Sequence, residues 1–331
     1  MHAYEGVDDG SHYNFRFWGG VIMAPLPRAE SSTVRAIYAA YEAAASSWDS
    51  LGISVGEANN PCDRALWYAF RWASPLEKHH GRQLRLFETG NIEEDRLVAD
   101  LERIGVDVYG QQDKIRLVQG HVRGKCDGKA MGVVEAPKTE HLLEFKSSNA
   151  KGMKLIIKDG CQKAKPLHYG QCQLGMHAFG LSRCLYLVSC KDDDTLYAER
   201  IEYDPEFCLR LLARLERIIN SPEPPSRINE APDWFECTFC KHKPVCKESA
   251  WPRVTCRSCI HSSPEMGGDG HWSCARWAKP ISFDEQKEGC PTHLTIPALV
   301  PGTQTDCDEE AETITYVLRD GTTWIDGATD A

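Results

Sequence analysis

The sequence predicts an α/β fold with a central mixed sheet flanked by helices. Segments with apolar residues at helical spacing come before and after a β-rich stretch, and that stretch carries β-branched and aromatic residues between turn residues. The chain has 331 residues, of which 42% are hydrophobic, so it can form one large core or two modest domains.

Three helices are predicted on the N-terminal side of the sheet. Residues 31–49 are rich in Ala and place apolar side chains at helical spacing. An Asn-Asn-Pro turn separates this helix from a second one over 63–72, and a third is predicted over 88–104. Residues 1–29 are irregular and carry no assignment.

The remaining elements alternate between strands and helices. The same patterns predict strands within 115–128 and at 141–148, 183–190 and 195–203, and helices at 167–181 and 205–220. Residues 295–331 are acidic and include a hairpin-like segment over 314–326.

The composition limits how the chain can meet a partner. Its net charge is −10, whereas a protein that grips nucleic acid over its whole surface is usually basic. The start lacks the basic and apolar regions of a secretory signal, and no apolar run reaches the roughly 18–20 residues of a membrane span. We therefore expect a soluble, cytoplasmic protein without membrane contact, whose nucleic-acid contacts are local.

Two local patches suit DNA. Arg64, Tyr68 and Arg71 fall on one face of the helix over 63–72, where they could contact a backbone and stack on bases. A packed amphipathic helix is an equally good interpretation. A second patch, which suits phosphate attraction or is simply a solvated loop, is formed by Lys151, Lys154, Lys158, Lys163 and Lys165.

A carboxylate and lysine motif is the first candidate for chemistry. In a strand, Glu144 and Lys146 share one face while Phe145 turns into the core, and a hairpin-like return brings Asp127 beside Glu144. Two adjacent carboxylates suit Mg²⁺ or Mn²⁺, and the lysine could orient water or stabilise charge on phosphorus. The spacing alone is common in exposed sheets, but the apolar context of Leu142 and Leu143 favours a site.

The chain has fifteen cysteines, which in a reducing compartment indicates metal ligands or free thiols. Cys237, Cys240 and Cys246 form a CxxCx5C motif that supplies three thiolates. A second CxxC motif with two distant partners predicts a structural zinc site. Its ligands are Cys256, Cys259, Cys274 and Cys290, with His293 as an alternative to Cys290. This zinc module could grip DNA, dock a partner or cap the fold.

The segments RGKCDG and HLLEFKSS, residues 123–128 and 141–148, resemble motifs II and III of the PD-(D/E)xK nuclease superfamily. The resemblance is to the branch with RecB-like domains and CRISPR-associated four-cysteine exonucleases. It covers about residues 50–250 and implies a restriction-endonuclease-like core. It further implies that Glu94 is a metal ligand and that Gln171 belongs to the catalytic set, although Gly175 stands where that motif has tyrosine.

The same resemblance implies that Cys62 completes the first cysteine set. Four thiolates suit a [4Fe–4S] cluster or zinc, and the long separation of Cys62 from Cys237 favours the cluster. The implied domains are an N-terminal extension with a helix (1–55), a nuclease core closed by the cluster (56–250), a zinc module (251–294) and an acidic tail (295–331).

These features together predict a metal-dependent DNA nuclease. We expect an exonuclease that acts on single strands or duplex ends in recombination, repair or phage DNA processing, with a recombination or replication protein as a further partner. A phage origin is implied by the resemblance alone, and would place the protein in the host cytoplasm. The alternative is a non-catalytic protein that binds nucleic acid or a partner and keeps the fold and metal sites.

Overall fold

The computed structural model describes residues 31–45, 49–231 and 233–327. The irregular N-terminal segment and the predicted helical residues 46–48 lie outside these ranges, as do residues 328–331 at the end of the acidic tail.

The helices alternate with short strands along most of the described chain. The helices are α1 Ser32–Ala44, α2 Asp63–Phe70, α3 Gly81–Arg103, α4 Ala150–Ala164, α5 Pro166–Phe179, α6 Pro205–Asn220, α7 Phe235–Thr238, α8 Lys243–Lys247 and α9 Phe283–Lys287. The strands of the first half and the centre are β1 Ile53–Ser54, β2 Asp107–Tyr109, β3 Lys114–Leu117, β4 Val122–Lys125, β5 Gly128–Met131, β6 His141–Ser148, β7 Arg183–Cys190 and β8 Leu196–Glu202. The later strands are β9 Ser262–Pro264, β10 Trp272–Cys274, β11 Lys279–Ile281, β12 Gly302–Asp308, β13 Thr313–Leu318 and β14 Thr323–Asp326.

The central sheet has five strands in the order β2-β5-β6-β7-β8. The pair β6 and β7 is parallel, and the other neighbouring pairs are antiparallel. Helices cover both faces, so the prediction of a mixed α/β sheet flanked by helices is confirmed. The predicted bounds of β6, β7 and α6 match those of the structure.

Alternation along β6 and β7 divides the core into two parts. Leu143, Phe145 and Leu185 face one side of the sheet and pack with Leu97 of α3. Side chains on the opposite side join a larger cluster with α2, α4, α5 and α6. Because successive side chains in a strand alternate between faces, Glu144 and Lys146 point to the side of the larger cluster.

Helix α4 was not predicted from the sequence, which gave its lysines as a basic stretch or a loop. It begins at the cap residue Asn149, whose side chain accepts a hydrogen bond from the amide of Gly152 at 2.8 Å. Met153, Ile156 and Cys161 are its buried residues. The helix is kinked at Gly160, where φ is +72°, a conformation that side chains other than glycine rarely adopt.

The segment after residue 250 is part of the same core. Trp272 and Ile281 are buried within the larger cluster, on the far side of the predicted boundary between the nuclease core and the zinc module. The region predicted as an acidic tail forms a three-stranded sheet, β12-β13-β14. Its predicted hairpin is present as β13 and β14, and β12 is an additional strand.

Candidate active site

Strands β5 and β6 bring Asp127 and Glu144 together. Gly128 pairs with Leu143 in this antiparallel ladder, so the residue before Gly128 lies beside the residue after Leu143. The amide of Phe145 donates a hydrogen bond to Oδ2 of Asp127 at 2.7 Å. This backbone hydrogen bond fixes the position of the Asp127 carboxylate. Asp127 and Glu144 lie side by side, as the hairpin-like return predicted from the sequence requires.

Glu144 and Lys146 form an ion pair in a nearly dry environment. The ammonium of Lys146 donates to Oε1 of Glu144, whose side chain is only 2% exposed. Burial raises the pKa of Glu144 to about 7, and the ammonium only partly opposes this. Burial also disfavours the charge on Lys146, but the carboxylates of Glu144 and Asp127 outweigh it and raise the pKa of the ammonium.

Glu94 approaches the same centre from α3, on the opposite side of the sheet. Gln112 donates a hydrogen bond to its Oε1 at 3.1 Å. Burial and the neighbouring charge of Asp127 raise the pKa of Glu94. Burial likewise raises the pKa of Asp127, against the opposing effects of Lys146 and the Phe145 amide.

These three carboxylates fit a divalent cation by donor type and charge. Glu94, Asp127 and Glu144 are oxygen donors that repel one another, and Lys146 is the ammonium that faces them. As placed, no three His, Cys, Asp or Glu side chains within the described part of the chain are close enough to hold a metal ion. Binding of a cation would therefore require these carboxylates to turn toward each other.

Gln171 does not reach this centre. Its Oε1 lies over Gly56, where an added Cβ atom would be 3.4 Å away. Gln173, two residues later, is buried and joins the end of β8 to α6 through hydrogen bonds with Glu202 and Asp204. Gln173 therefore has a structural role, whereas Gln171 is partly exposed and is the one of the two that could meet a ligand.

The four cysteines of the first set line one cavity. Cys62 precedes α2, and Cys237, Cys240 and Cys246 come from the segment around α7 and α8; the cavity is small and opens to solvent. Burial raises the pKa of Cys240, and the charges of the other three thiols add to the effect. As placed, no three of these four thiols are close enough to hold one metal ion, so binding would require them to turn toward each other. The cavity is also lined by the basic residues Arg64, Arg227, Lys243 and Lys247.

The second set of cysteines lines another cavity. Cys256, Cys259, Cys274 and Cys290 surround about 900 Å³ of open space. Burial raises the pKa of Cys256 to about 11, with contributions from the other three thiols. His293, the alternative ligand, is buried, and its Nε2 lies 3.1 Å from the carbonyl oxygen of Thr255.

The structure corrects the predicted DNA face of α2. Tyr68 is 2% exposed and Arg71 is 4% exposed, so neither presents a surface to a DNA strand. Arg71 donates to the carbonyl of Ser262 at 3.0 Å. Arg64 donates to Tyr68 and to the carbonyl of Pro225. The sequence pattern described one face of the helix correctly, but later segments of the chain cover that face.

The predicted lysine patch lies on α4 and just beyond it. Lys151, Lys154 and Lys158 are exposed, and the spacing of three and four residues places them on one side of the helix. Lys163 pairs with Asp159 at 3.2 Å, and Lys165 is partly buried at the start of α5. Because α4 follows β6 directly, this basic row begins close to Lys146.

The sequence reasoning missed a histidine and a tyrosine beside the carboxylates. Nδ1 of His168 lies 2.7 Å from the hydroxyl of Tyr186. Tyr186 pairs in register with Glu144 across β6 and β7. Burial and the charges of Lys146 and Lys165 lower the pKa of His168 to about 3. His168 is three residues before Gln171 on α5, which is the one sequence signal that could have pointed to it.

Comparisons with known proteins give only distant similarities. No protein-family model and no curated protein matches the sequence. The alkaline exonuclease LHK-Exo from Laribacter hongkongensis has 17% identity and a TM-score of 0.36, and it covers 56% of this chain and 90% of its own. LHK-Exo in complex with dAMP gives 18% identity, the same coverage and the same TM-score. SSO0001 gives 14% identity and a TM-score of 0.39, with 66% of this chain and 98% of that chain covered.

Because these TM-scores are low, the similarities carry no argument about the function of this chain, which is inferred from side-chain geometry instead. Among the helices of the described residues, none combines the length and apolar character that crossing a bilayer requires.

Proposed function

We propose that this protein is a metal-dependent DNA nuclease with its reactive centre at Asp127, Glu144 and Lys146. The observation that carries the proposal is the grouping of Asp127, Glu144 and Lys146 at the junction of β5 and β6, with Glu94 nearby on α3. A carboxylate as deeply buried as that of Glu144 is expected where a cation or a reaction needs it.

In this proposal Glu94, Asp127 and Glu144 hold Mg²⁺ or Mn²⁺. The bound metal would polarise the phosphodiester and lower the pKa of a water molecule. Lys146 acts as a donor, because its raised pKa keeps it protonated. Its ammonium then stabilises negative charge that builds up on the phosphate oxygens. Gln171, partly exposed on α5, is assigned to contact the DNA near this centre.

The row of Lys151, Lys154 and Lys158 on α4 would guide the DNA backbone to the site. Each lysine is exposed. Local charge is needed here because the chain as a whole carries −10. We retain Arg64 only as a residue of the first cysteine cavity, since its donors are used within the protein.

We further propose that the two cysteine sets hold metal centres. The first would hold a [4Fe–4S] cluster, which the long separation of Cys62 from Cys237 along the chain favours over zinc. The four basic residues around its cavity would offset the negative charge of the thiolates. The second would hold Zn²⁺ through Cys256, Cys259, Cys274 and Cys290. We favour Cys290 over His293, since Nε2 of His293 already faces a backbone carbonyl.

The proposal includes exonucleolytic action on single strands or duplex ends, in recombination, repair or phage DNA processing. It also includes a recombination or replication protein as a partner. We further propose a phage origin, the host cytoplasm as the compartment, and the four-domain division of the chain. The second candidate is a protein that binds nucleic acid or a partner without catalysis. The ion pair between Lys146 and Glu144, whose side chain is 2% exposed, favours the enzyme, because a binding role alone does not require a buried carboxylate beside Asp127.

The test is an assay of end-labelled single- and double-stranded DNA with Mg²⁺ or Mn²⁺, after anaerobic purification. We expect cleavage by the wild type and loss of cleavage in Asp127→Asn and Lys146→Met. Asp100→Asn, which removes a partly exposed carboxylate from the same helix as Glu94, is the matched control and should behave as wild type. Equal activity in wild type, Asp127→Asn and Lys146→Met would exclude this active site.

Metal analysis of the same preparation tests the cysteine sites. The proposal expects iron, sulfide and visible charge-transfer absorbance together with about one zinc per chain. Zinc at about two per chain with no iron would replace the cluster by a second zinc site.

A further inference from the structure

The partly exposed His168 and the buried Tyr186 form a hydrogen-bonded pair that the proposed nuclease mechanism does not use. Tyr186 is fully buried on β7, directly beside Glu144 in the parallel register. Its hydroxyl reaches toward α5 and meets Nδ1 of His168 at 2.7 Å. The pair therefore lies beside Glu144, where α5 packs on β7.

The direction of this hydrogen bond follows from the surroundings of the phenol. A buried hydroxyl needs an acceptor for its proton. Within the described ranges, Nδ1 of His168 is the only hydrogen-bond partner of the Tyr186 hydroxyl. Burial and the nearby thiols and Glu144 raise the pKa of Tyr186, so the phenol keeps its proton. Tyr186 is thus the donor, and Nδ1 is the acceptor.

This arrangement places the imidazole proton on Nε2. A neutral imidazole with Nδ1 as acceptor carries its hydrogen on the other nitrogen. Nε2 has no hydrogen-bond partner among the residues that the structure describes, and it does not belong to their buried unpartnered atoms. It is therefore a donor that is open to solvent.

The position of this donor indicates what it would bind. Lys146 and Lys165 both lower the pKa of His168, so the imidazole shares its surroundings with two ammonium groups. A neutral N–H donor beside ammonium groups fits an anionic oxygen better than it fits a cation. The lysine row lies on α4, which directly precedes the helix α5 that carries His168.

We propose that His168, held by Tyr186, donates its Nε2–H to a phosphate oxygen of the bound DNA strand, next to the phosphate that Lys146 contacts. This inference rests on the proposed nuclease function and adds a substrate-binding residue to it. His168 is a donor in this arrangement and not a general base, because Tyr186 occupies its other nitrogen.

The chain supplies a matched control for this pair. Nδ1 of His177 lies 2.8 Å from the hydroxyl of Tyr203, so a second histidine on α5 makes the same contact with a tyrosine. Neither residue belongs to the carboxylate site. Replacement of His177 therefore reports what loss of such a pair does to the fold alone.

The test measures DNA binding and the imidazole tautomer separately. The probe is a 5′-phosphorylated single-stranded oligonucleotide, with Ca²⁺ in place of Mg²⁺ to slow turnover. We expect His168→Leu to weaken binding about 10- to 100-fold, as for loss of a hydrogen bond to a charged group. His168→Gln, which keeps a donor, and His177→Leu should stay within about threefold of wild type. Nitrogen-15 NMR of the free protein should show His168 protonated almost entirely at Nε2, and Tyr186→Phe should reduce this to the weaker Nε2 preference of a free neutral imidazole.

Each outcome has one meaning. Unchanged DNA affinity in His168→Leu, with the wild type binding DNA, overturns this inference and leaves the nuclease intact. A proton on Nδ1 of His168 in the wild type also overturns it, and this measurement needs no DNA. A wild type that neither binds nor cleaves DNA instead rejects the proposed function itself.

Discussion

The buried carboxyl of Glu144 should make the stability of the protein fall as the pH rises. Its pKa is about 7 in the folded protein against an ordinary value of 4.5. Between these values the folded protein holds a proton that the unfolded chain has released. The free energy of unfolding therefore decreases as the pH rises through this window. A shift of this size corresponds to a loss of about 3 kcal/mol in the free energy of unfolding. This loss is absent below the pKa of the unfolded chain and complete above the pKa of the folded protein.

Glu144→Gln removes this titration while keeping the shape of the side chain. The variant also leaves Lys146 without its partner, and this cost stays nearly constant because Lys146 remains charged throughout the window. The informative quantity is therefore the difference in unfolding free energy between wild type and variant at each pH. Relative to Glu144→Gln, the wild type should lose about 3 kcal/mol between about pH 4.5 and 7.5.

Urea unfolding at four pH values across this range, without added Mg²⁺ or Mn²⁺, measures the difference. Glu102→Gln, an exposed glutamate on α3, is the control and should give a flat difference. A flat difference for Glu144→Gln would refute the argument that burial raises the pKa of this carboxyl. A second run with Mn²⁺ should restore wild-type stability above pH 7 more than that of the variant, since a ligand of the folded state stabilises it.

Three further predictions concern the rest of the molecule. Cys62→Ser should lose bound iron and visible absorbance while zinc stays; retention of iron would remove Cys62 from the cluster. Lys154→Ala with Lys158→Ala should lower the slope of log affinity against log salt by about 1.4–1.8 for DNA, and an unchanged slope would remove both from the DNA path. Arg257→Met should lower the unfolding free energy by about 3 kcal/mol or more in urea melts, because it leaves the carbonyl of Phe70 and other buried acceptors unpaired. Arg319→Met, at an exposed arginine, should change the unfolding free energy little.

The strands and long helices could be predicted because their signals are local. Strand β6 could be predicted from the apolar residues Leu142, Leu143 and Phe145, and α6 from a clear helical period. Helix α4 escaped prediction because its two glycines weaken the helical signal and its lysines suggest a solvated segment. Strand β12 escaped for a similar reason, since it is polar and exposed along its length.

Part of the candidate site could be predicted from the sequence. Asp127, Glu144 and Lys146 lie close together in the chain, so a hairpin and strand alternation were enough to place them. His168 and Tyr186 meet through packing of α5 on the sheet, which no spacing along the chain encodes. Burial of Arg71 likewise depends on a segment nearly two hundred residues away.

The buried contact of Arg257 and Trp272 with α2 has a consequence for how this protein can vary. The guanidinium of Arg257 donates to the carbonyl oxygen of Phe70, and the Trp272 ring packs against the Phe70 ring at a tilt of 37°, with centroids 5.0 Å apart. A chain cut before these residues would leave the inner side of α2 bare. Insertions and deletions in related chains should therefore fall in the exposed loops of the later strands, and the cysteine segment should be inherited together with the helix α2 that it covers.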